Sequence, residues 1–182
     1  MRLDDLPGEL IMWVLIVSEL LIFAAGITVM MAMRLTDPPG FAAAQAMLDG
    51  RLAALNTMLL VTSGLFAARA ERAASQGRHG AARIGLGLAA LGGVLFLVVK
   101  GAEYLHEIRA GVGMDSHPFF TFYFLLTGFH AAHVIAGVVV LGLVAIRARA
   151  QPVQAGAMFW HMVDLVWVLI LVPIWLLGQG NG

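Results

Sequence analysis

The sequence predicts an all-α membrane protein, a bundle of five transmembrane helices. Two observations carry that expectation. Of 182 residues, 60% are hydrophobic and only 12% charged, with a mean hydropathy of +0.89. A soluble domain of this size carries about 25% charged residues and could not cover its surface with so few. The apolar residues also fall into five stretches, each long enough to cross a hydrocarbon core of about 30 Å, which takes about 20 helical residues. The alternating segments of about 10 residues that build a membrane β-barrel are missing.

The spans run from about 9 to 33, 52 to 70, 82 to 105, 119 to 146 and 154 to 178, in a single domain covering 1–182. Acidic Asp4 and Asp5 precede the first span. Its length exceeds the 7–15-residue core typical of a signal peptide, so it reads as a retained helix. Pro38-Pro39-Gly40, Ser75-Gln76-Gly77 and Pro152 mark the turns between spans. Arg2, Arg69, Arg72, Arg78, Arg83, Arg147 and Arg149 would lie on one side, and Arg34, Arg51 and Arg109 on the other. The richer side is expected to be cytoplasmic, which puts the N-terminus inside and the C-terminus, Gln179–Gly182, in the periplasm.

Cysteine is absent, so disulfides, thiolate nucleophiles and Cys-ligated metal are excluded. Net charge is zero and no long basic run exists, which argues against nucleic-acid binding. Gly85, Ala89 and Gly92 on the third span, and Gly128, Ala132 and Ala136 on the fourth, have the small-residue spacing that lets helices approach closely within a bundle. Pro173 is expected to bend the fifth span, with neighbours satisfying the freed carbonyl. Trp13, Trp160, Trp167 and Trp175 read as interfacial anchors or core.

Ionisable groups at bilayer depth cost ~2.5–3.5 kcal/mol each on insertion scales, so each needs a partner. Counting at about 1.5 Å per residue puts Glu19, His133 and Asp164 at similar depth, with His130 and His161 close by. His130 and His133 share a helix face at i, i+3, and His161 and Asp164 repeat that spacing on the next, antiparallel helix. Three readings are open. One is a di-metal site, although the bundle supplies fewer carboxylates than such sites use. A second is a proton path, although the third span is dry from Ile84 to Val99. The third, favoured, is a buried polar network of Glu19, His130, His133, His161 and Asp164 that fixes helix register and can hold a lipid headgroup. Lys100, Glu103, Tyr104 and His106 form a second polar group near the end of the third span. There Lys100 pairs with Glu103 at i, i+3 and can extend its stem outward to lipid.

Leu125 to Gly137 (LLTGFHAAHVIAG), Phe159 to Trp167 (FWHMVDLVW) and Glu19 in VSELLIF together resemble the motifs of subunit III of the haem–copper cytochrome oxidases. LLTGFHAAHVIAG (Leu125 to Gly137) is similar to that family's TGFHGxHV, and FWHMVDLVW (Phe159 to Trp167) to its YWHFVDxVW. Glu19 in VSELLIF resembles the family's membrane-buried carboxylate, LNTMLLVTSG its LNTxxLLxSS, and KGAEYL its QxxEY with Lys100 in place of Gln. Ala131-Ala132 departs from the usual pair between the histidines. The matches follow the family's order on all five spans and correspond to the last five helices of its seven-helix form. Five-helix members occur among quinol oxidases and in a branch associated with bacterial nitric oxide reductase, and Lys100 and FYFLLTG resemble the latter.

The resemblance implies a non-catalytic accessory subunit in the bacterial cytoplasmic membrane, without haem, copper or other metal of its own. Such a subunit packs beside a haem-containing catalytic subunit of an oxidase or nitric oxide reductase. It holds phospholipid in a cleft and supports assembly and proton uptake. A standalone transporter or proton channel is the alternative from another class, although the inverted repeat and broken helices of transporters are missing. A membrane di-metal enzyme is the third.

Overall fold

The computed structural model describes residues 10–176, all of whose regular structure is helical. Arg2, the first residue of the first expected span, the last residues of the fifth, and Gln179–Gly182 lie outside them. Six α-helices follow one another: α1 (Leu10–Thr36), α2 (Pro38–Gln45), α3 (Gly50–Ser75), α4 (His79–Arg109), α5 (Pro118–Arg147) and α6 (Ala150–Leu171), which continues into a π-helical turn over Val172–Leu176. Five are long and apolar enough to cross a membrane. α3 and α5 begin outside their apolar cores, at polar residues that cap them. Asp49 accepts a hydrogen bond from Arg51 N at 2.8 Å to start α3. His117 Nδ1 accepts from Phe119 N at 3.1 Å to start α5, where Pro118 occupies the first turn and, having no N–H, needs no acceptor.

The Pro38-Pro39-Gly40 turn is itself a short helix. Asp37 caps it by accepting from Gly40 N at 3.0 Å, and Phe41 and Gln45 turn inward. Gln45 then reaches the π turn, donating to the carbonyls of Ile174 (2.5 Å) and Pro173 (3.3 Å). The expected disturbance at Pro173 thus takes the form of a π turn, with a neighbour serving its carbonyls.

α3, α4, α5 and α6 close a ring in which each packs on the next and α6 returns to α3, while α1 lies along α5 and α6. Of α1, only Phe23 and Met30 are buried among the described residues. Isoleucine, leucine and valine side chains cover the exterior of all five long helices, as a lipid-facing surface requires. The α3–α4 contact is the tightest. A methyl group added at Gly85 would stand 2.9 Å from Ala70 Cβ, and one at Gly92 2.7 Å from Ser63 Cβ. That half of the small-residue expectation holds.

The other half needs correction. Ala132 and Ala136 are exposed, and Gly128 has no close neighbour nearer than the Tyr104 hydroxyl at 3.8 Å. α5 makes its close approach one residue further on, where a methyl at Gly137 would meet the Trp160 ring at 2.6 Å. The tryptophans of α6 and its π turn are core rather than interfacial anchors: Trp160, Trp167 and Trp175 are all buried. Trp160 Nε1 donates to Ser63 Oγ at 2.8 Å and Trp167 Nε1 to Thr57 Oγ1 at 3.0 Å, so α6 is bonded to α3 at two levels.

Candidate functional site: two membrane-depth ion pairs and a caged lysine

The expected single network of Glu19, His130, His133, His161 and Asp164 divides into three. At the α1–α5 contact, His133 Nε2 lies 3.0 Å from Glu19 Oε2. His133 Nδ1 donates to the Phe129 carbonyl at 2.9 Å, which commits one ring hydrogen. The contact between Nε2 and Oε2 therefore needs a further proton, and the two residues share it. The Phe23 ring stands edge-on to His133 at 5.6 Å and covers one side of the pair.

On α6, His161 Nδ1 lies 3.8 Å from Asp164 Oδ2, facing α3. Asp164 rests on the backbone of Gly64, where any Cβ would collide with Oδ2. His161 is exposed on this face, beside a groove of about 360 Å³ lined by Gly64, Ala68, Asp164 and Val168. Among the described residues, no hydrogen bond or ion pair joins this pair to Glu19 and His133. The physical reason is angular: depth along two helix axes can agree while the side chains leave on different faces.

His130 joins neither pair. It is fully buried, both ring nitrogens are without hydrogen bonds, and aromatic rings surround it. Phe96 stands edge-on at 5.5 Å, Phe23 at 6.4 Å, and Trp167 lies tilted at 5.3 Å. Among the described residues no three His, Asp or Glu side chains gather as a set of metal ligands. The HxxH and HxxD pairs that suggested such a site do not face one another.

The second polar group is more deeply enclosed than the sequence suggests. Lys100 does not extend outward to lipid; it is 1% exposed. Its Nζ lies 3.1 Å from Glu103 Oε1 and donates to Tyr123 Oη at 3.0 Å. Four rings surround the ammonium: Tyr123 at 4.6 Å, Trp175 at 5.1 Å, Tyr104 at 5.2 Å and Trp167 at 5.6 Å. Such faces attract a cation through the ring quadrupole, an effect that grows when water is excluded. Tyr104 Oη and Thr127 Oγ1 are hydrogen-bonded at 2.5 Å and close the cage toward α5.

His106 is exposed and takes no part in this cage, while Glu107, one residue on, is buried in it. Positions 106 and 107 are i+3 and i+4 from Glu103, and spacing alone does not choose between them. Tyr123 is the member that sequence reasoning missed. Its hydroxyl contacts Lys100, Glu103 and Glu107 at once, and its polarity is hidden inside the aromatic run Phe119–Phe124. Asn56, within the LNT motif, was passed over as well; it is fully buried with no hydrogen-bond partner for its amide.

A family model for cytochrome c oxidase subunit III matches residues 8–179. Cytochrome c oxidase subunit 3 of Corynebacterium diphtheriae is 34% identical over 127 residues, covering 65% of this chain and 62% of that protein. The protein of the same name from Mycosarcoma maydis is 30% identical over 133 residues, 69% of this chain and 47% of its own length. That from Bacillus subtilis is 28% identical over 179 residues, 92% of this chain and 84% of its own. The match spans less than two thirds of the first two relatives. Five membrane-length helices, the motif order along them and this match leave one assignment: the chain belongs to the cytochrome c oxidase subunit III family.

Proposed function

We propose that the chain is a non-catalytic accessory subunit of a respiratory complex of the haem–copper oxidase superfamily, a multi-pass protein of the bacterial cytoplasmic membrane. The observation that carries this reading is the family match over residues 8–179. The distribution of polar groups supports it, because the Glu19–His133 pair ties α1 to α5 and Tyr123 ties the Lys100–Glu103 pair of α4 to α5. The haem and metals of the reaction would belong to a partner subunit, against which this bundle packs to support assembly and proton uptake.

Phospholipid is the expected small ligand. The groove between α3 and α6 and a second one of about 360 Å³, lined by Trp13, Ile16, Met158 and His161, open on the same side of the bundle. Acyl chains match their apolar walls, and a cationic or hydrogen-bonding headgroup matches Asp164 and Glu71 at their polar edge. The finer placement, in the branch associated with nitric oxide reductase, rests on Lys100 at a position where Gln is usual and on FYFLLTG before the His pair. The Arg-rich ends of α3, α4 and α5 face the cytoplasm in this reading.

The test is a tagged chain extracted from its native membranes in mild detergent. A haem-containing membrane partner in stoichiometric amount is the expected result. Copper in that partner identifies an oxygen-reducing oxidase, and non-haem iron a nitric oxide reductase. A chain that elutes alone from membranes shown to hold an intact oxidase overturns the proposal and favours a standalone transporter. A reporter fused after Gly182 and active only in the cytoplasm overturns the orientation.

A further inference from the structure

The structure points to a proton-binding site inside the cage: we propose that Lys100, Tyr123, Glu103 and Glu107 hold one exchangeable proton, carried by the Glu107 carboxyl group. The hydrogens at the Tyr123 hydroxyl can be counted. Tyr123 Oη has three polar neighbours, Lys100 Nζ at 3.0 Å, Glu103 Oε1 at 2.8 Å and Glu107 Oε1 at 2.8 Å. A phenol has one hydrogen and two lone pairs, and an ammonium group can only donate. Lys100 therefore fills one lone pair, and the phenol hydrogen goes to one carboxylate. The other carboxyl oxygen, at the same hydrogen-bonding distance, faces an oxygen with no hydrogen left to give. That contact is attractive only if this carboxyl is itself protonated and donates to the second lone pair.

Charge leads to the same count. Lys100, Glu103 and Glu107 are 1%, 3% and 7% exposed, so nearly all water is excluded from them. With both carboxyls ionised the group would carry a net negative charge at the end of a membrane span. With one protonated, the ammonium and the remaining carboxylate balance. Burying an unpaired charge is what membrane helices avoid most strongly. Glu103 is the natural anion, since its Oε1 also lies 3.1 Å from Lys100 Nζ. Glu107 then carries the proton, one turn nearer the end of α4.

The titratable and charged groups that interact with Glu107 are Lys100, Glu103 and Tyr104 on its own helix and Tyr123 on α5; α6 and its π turn contribute the neutral rings of Trp167 and Trp175, which face Lys100. Further polar atoms line the cage without partners: Glu103 Oε2, Glu107 Oε2 and the Trp175 indole nitrogen. The two carboxyl oxygens can accept an arriving proton, and the indole N–H can donate to a carboxylate left by a departing one. The site sits at the end of the bundle away from the arginine-rich turn between α3 and α4.

Infrared spectroscopy of the full chain, in detergent and again in any complex it forms, tests the proposal. The reading is the carbonyl stretch of a protonated carboxyl group. At neutral pH the difference between the unmodified chain and Glu107→Gln should show one such band per chain, shifted in heavy water. Raising the pH should bleach it as a carboxylate band grows. The Gln amide can donate to Tyr123 Oη as a carboxylic acid would, so this variant is expected to fold. If it does not, carboxyl-labelled glutamate in a Glu19→Gln chain supplies the same reading, because the label reports glutamates alone and the other membrane-depth one is gone. A labelled or difference spectrum without a protonated glutamate band at neutral pH overturns the inference, and so does a band that survives Glu107→Gln unchanged.

Discussion

Ser63 is the residue on which the α3–α4–α6 junction can be tested most directly. Its hydroxyl is fully enclosed, donates to the Ala89 carbonyl at 2.7 Å and accepts from Trp160 Nε1 at 2.8 Å. Ser63→Ala removes the oxygen and changes volume little. The two lost bonds are not equivalent. Ala89 lies inside α4, so its carbonyl keeps a helical partner, whereas the Trp160 indole N–H is left with none. An ordinary interhelical hydrogen bond in a membrane is worth about 0.6 kcal/mol, because the separated helices find other partners. A buried donor that cannot move away costs more, ~1–3 kcal/mol.

Trp160 cannot move. A methyl at Gly93 would sit 2.5 Å from its ring and one at Gly137 2.6 Å, so backbone walls it on two sides. The larger figure therefore applies, ~1–3 kcal/mol. The assay is reversible unfolding in mixed micelles, followed by tryptophan fluorescence, with exposed Thr62→Ala as the control expected within about 0.5 kcal/mol of the parent. In a double-mutant cycle with Trp160→Phe, the second substitution should cost less on the Ser63→Ala background than alone. Ser63→Ala indistinguishable from Thr62→Ala would refute the reasoning, because Trp160 must then find another acceptor or turn.

Other perturbations have equally definite outcomes. Gly92→Leu should separate α3 from α4 and lower the unfolding midpoint sharply, while Gly87→Leu, with nothing within 4 Å of its would-be Cβ, should leave it nearly unchanged. Lys100→Met leaves Glu103 buried without its cation and should cost ~3–5 kcal/mol, part of which returns on adding Glu103→Leu. Glu19→Gln keeps the contact with His133 and should behave as the parent, whereas Glu19→Leu leaves the imidazole unpaired and should cost ~1–3 kcal/mol, read by the same unfolding assay. Asp37 lies in the short link between α1 and α2. The Gly40 N–H and His117 beside it hold its carboxyl below the usual carboxylate range. A folded-state value below the unfolded one means that the cap contributes above the ordinary carboxylate value and is lost as pH falls through the lowered one. Amide-exchange protection at Gly40 should follow that loss in acid, and Asp37→Ala should abolish its pH dependence.

The sequence by itself determined the number and course of the membrane helices. Hydropathy over about 20 residues is a local property, and a chain that dry must satisfy its backbone within each span. It also determined the family, because motif order along the chain needs no third dimension. Which face of each helix turns inward was decided only by packing. At 3.6 residues per turn, agreement in depth leaves direction open, so Glu19 with His133 and His161 with Asp164 occupy different interfaces. The same ambiguity separates exposed His106 from buried Glu107, and the exposed Ala132 and Ala136 from inward Gly137. The fate of Lys100 depended on four rings, of which only Tyr104, one turn on along α4, is near it in sequence. A long cationic side chain extends outward when lipid surrounds it. This one stays inside because Tyr123, Trp167 and Trp175 reach it from the neighbouring helices before water does.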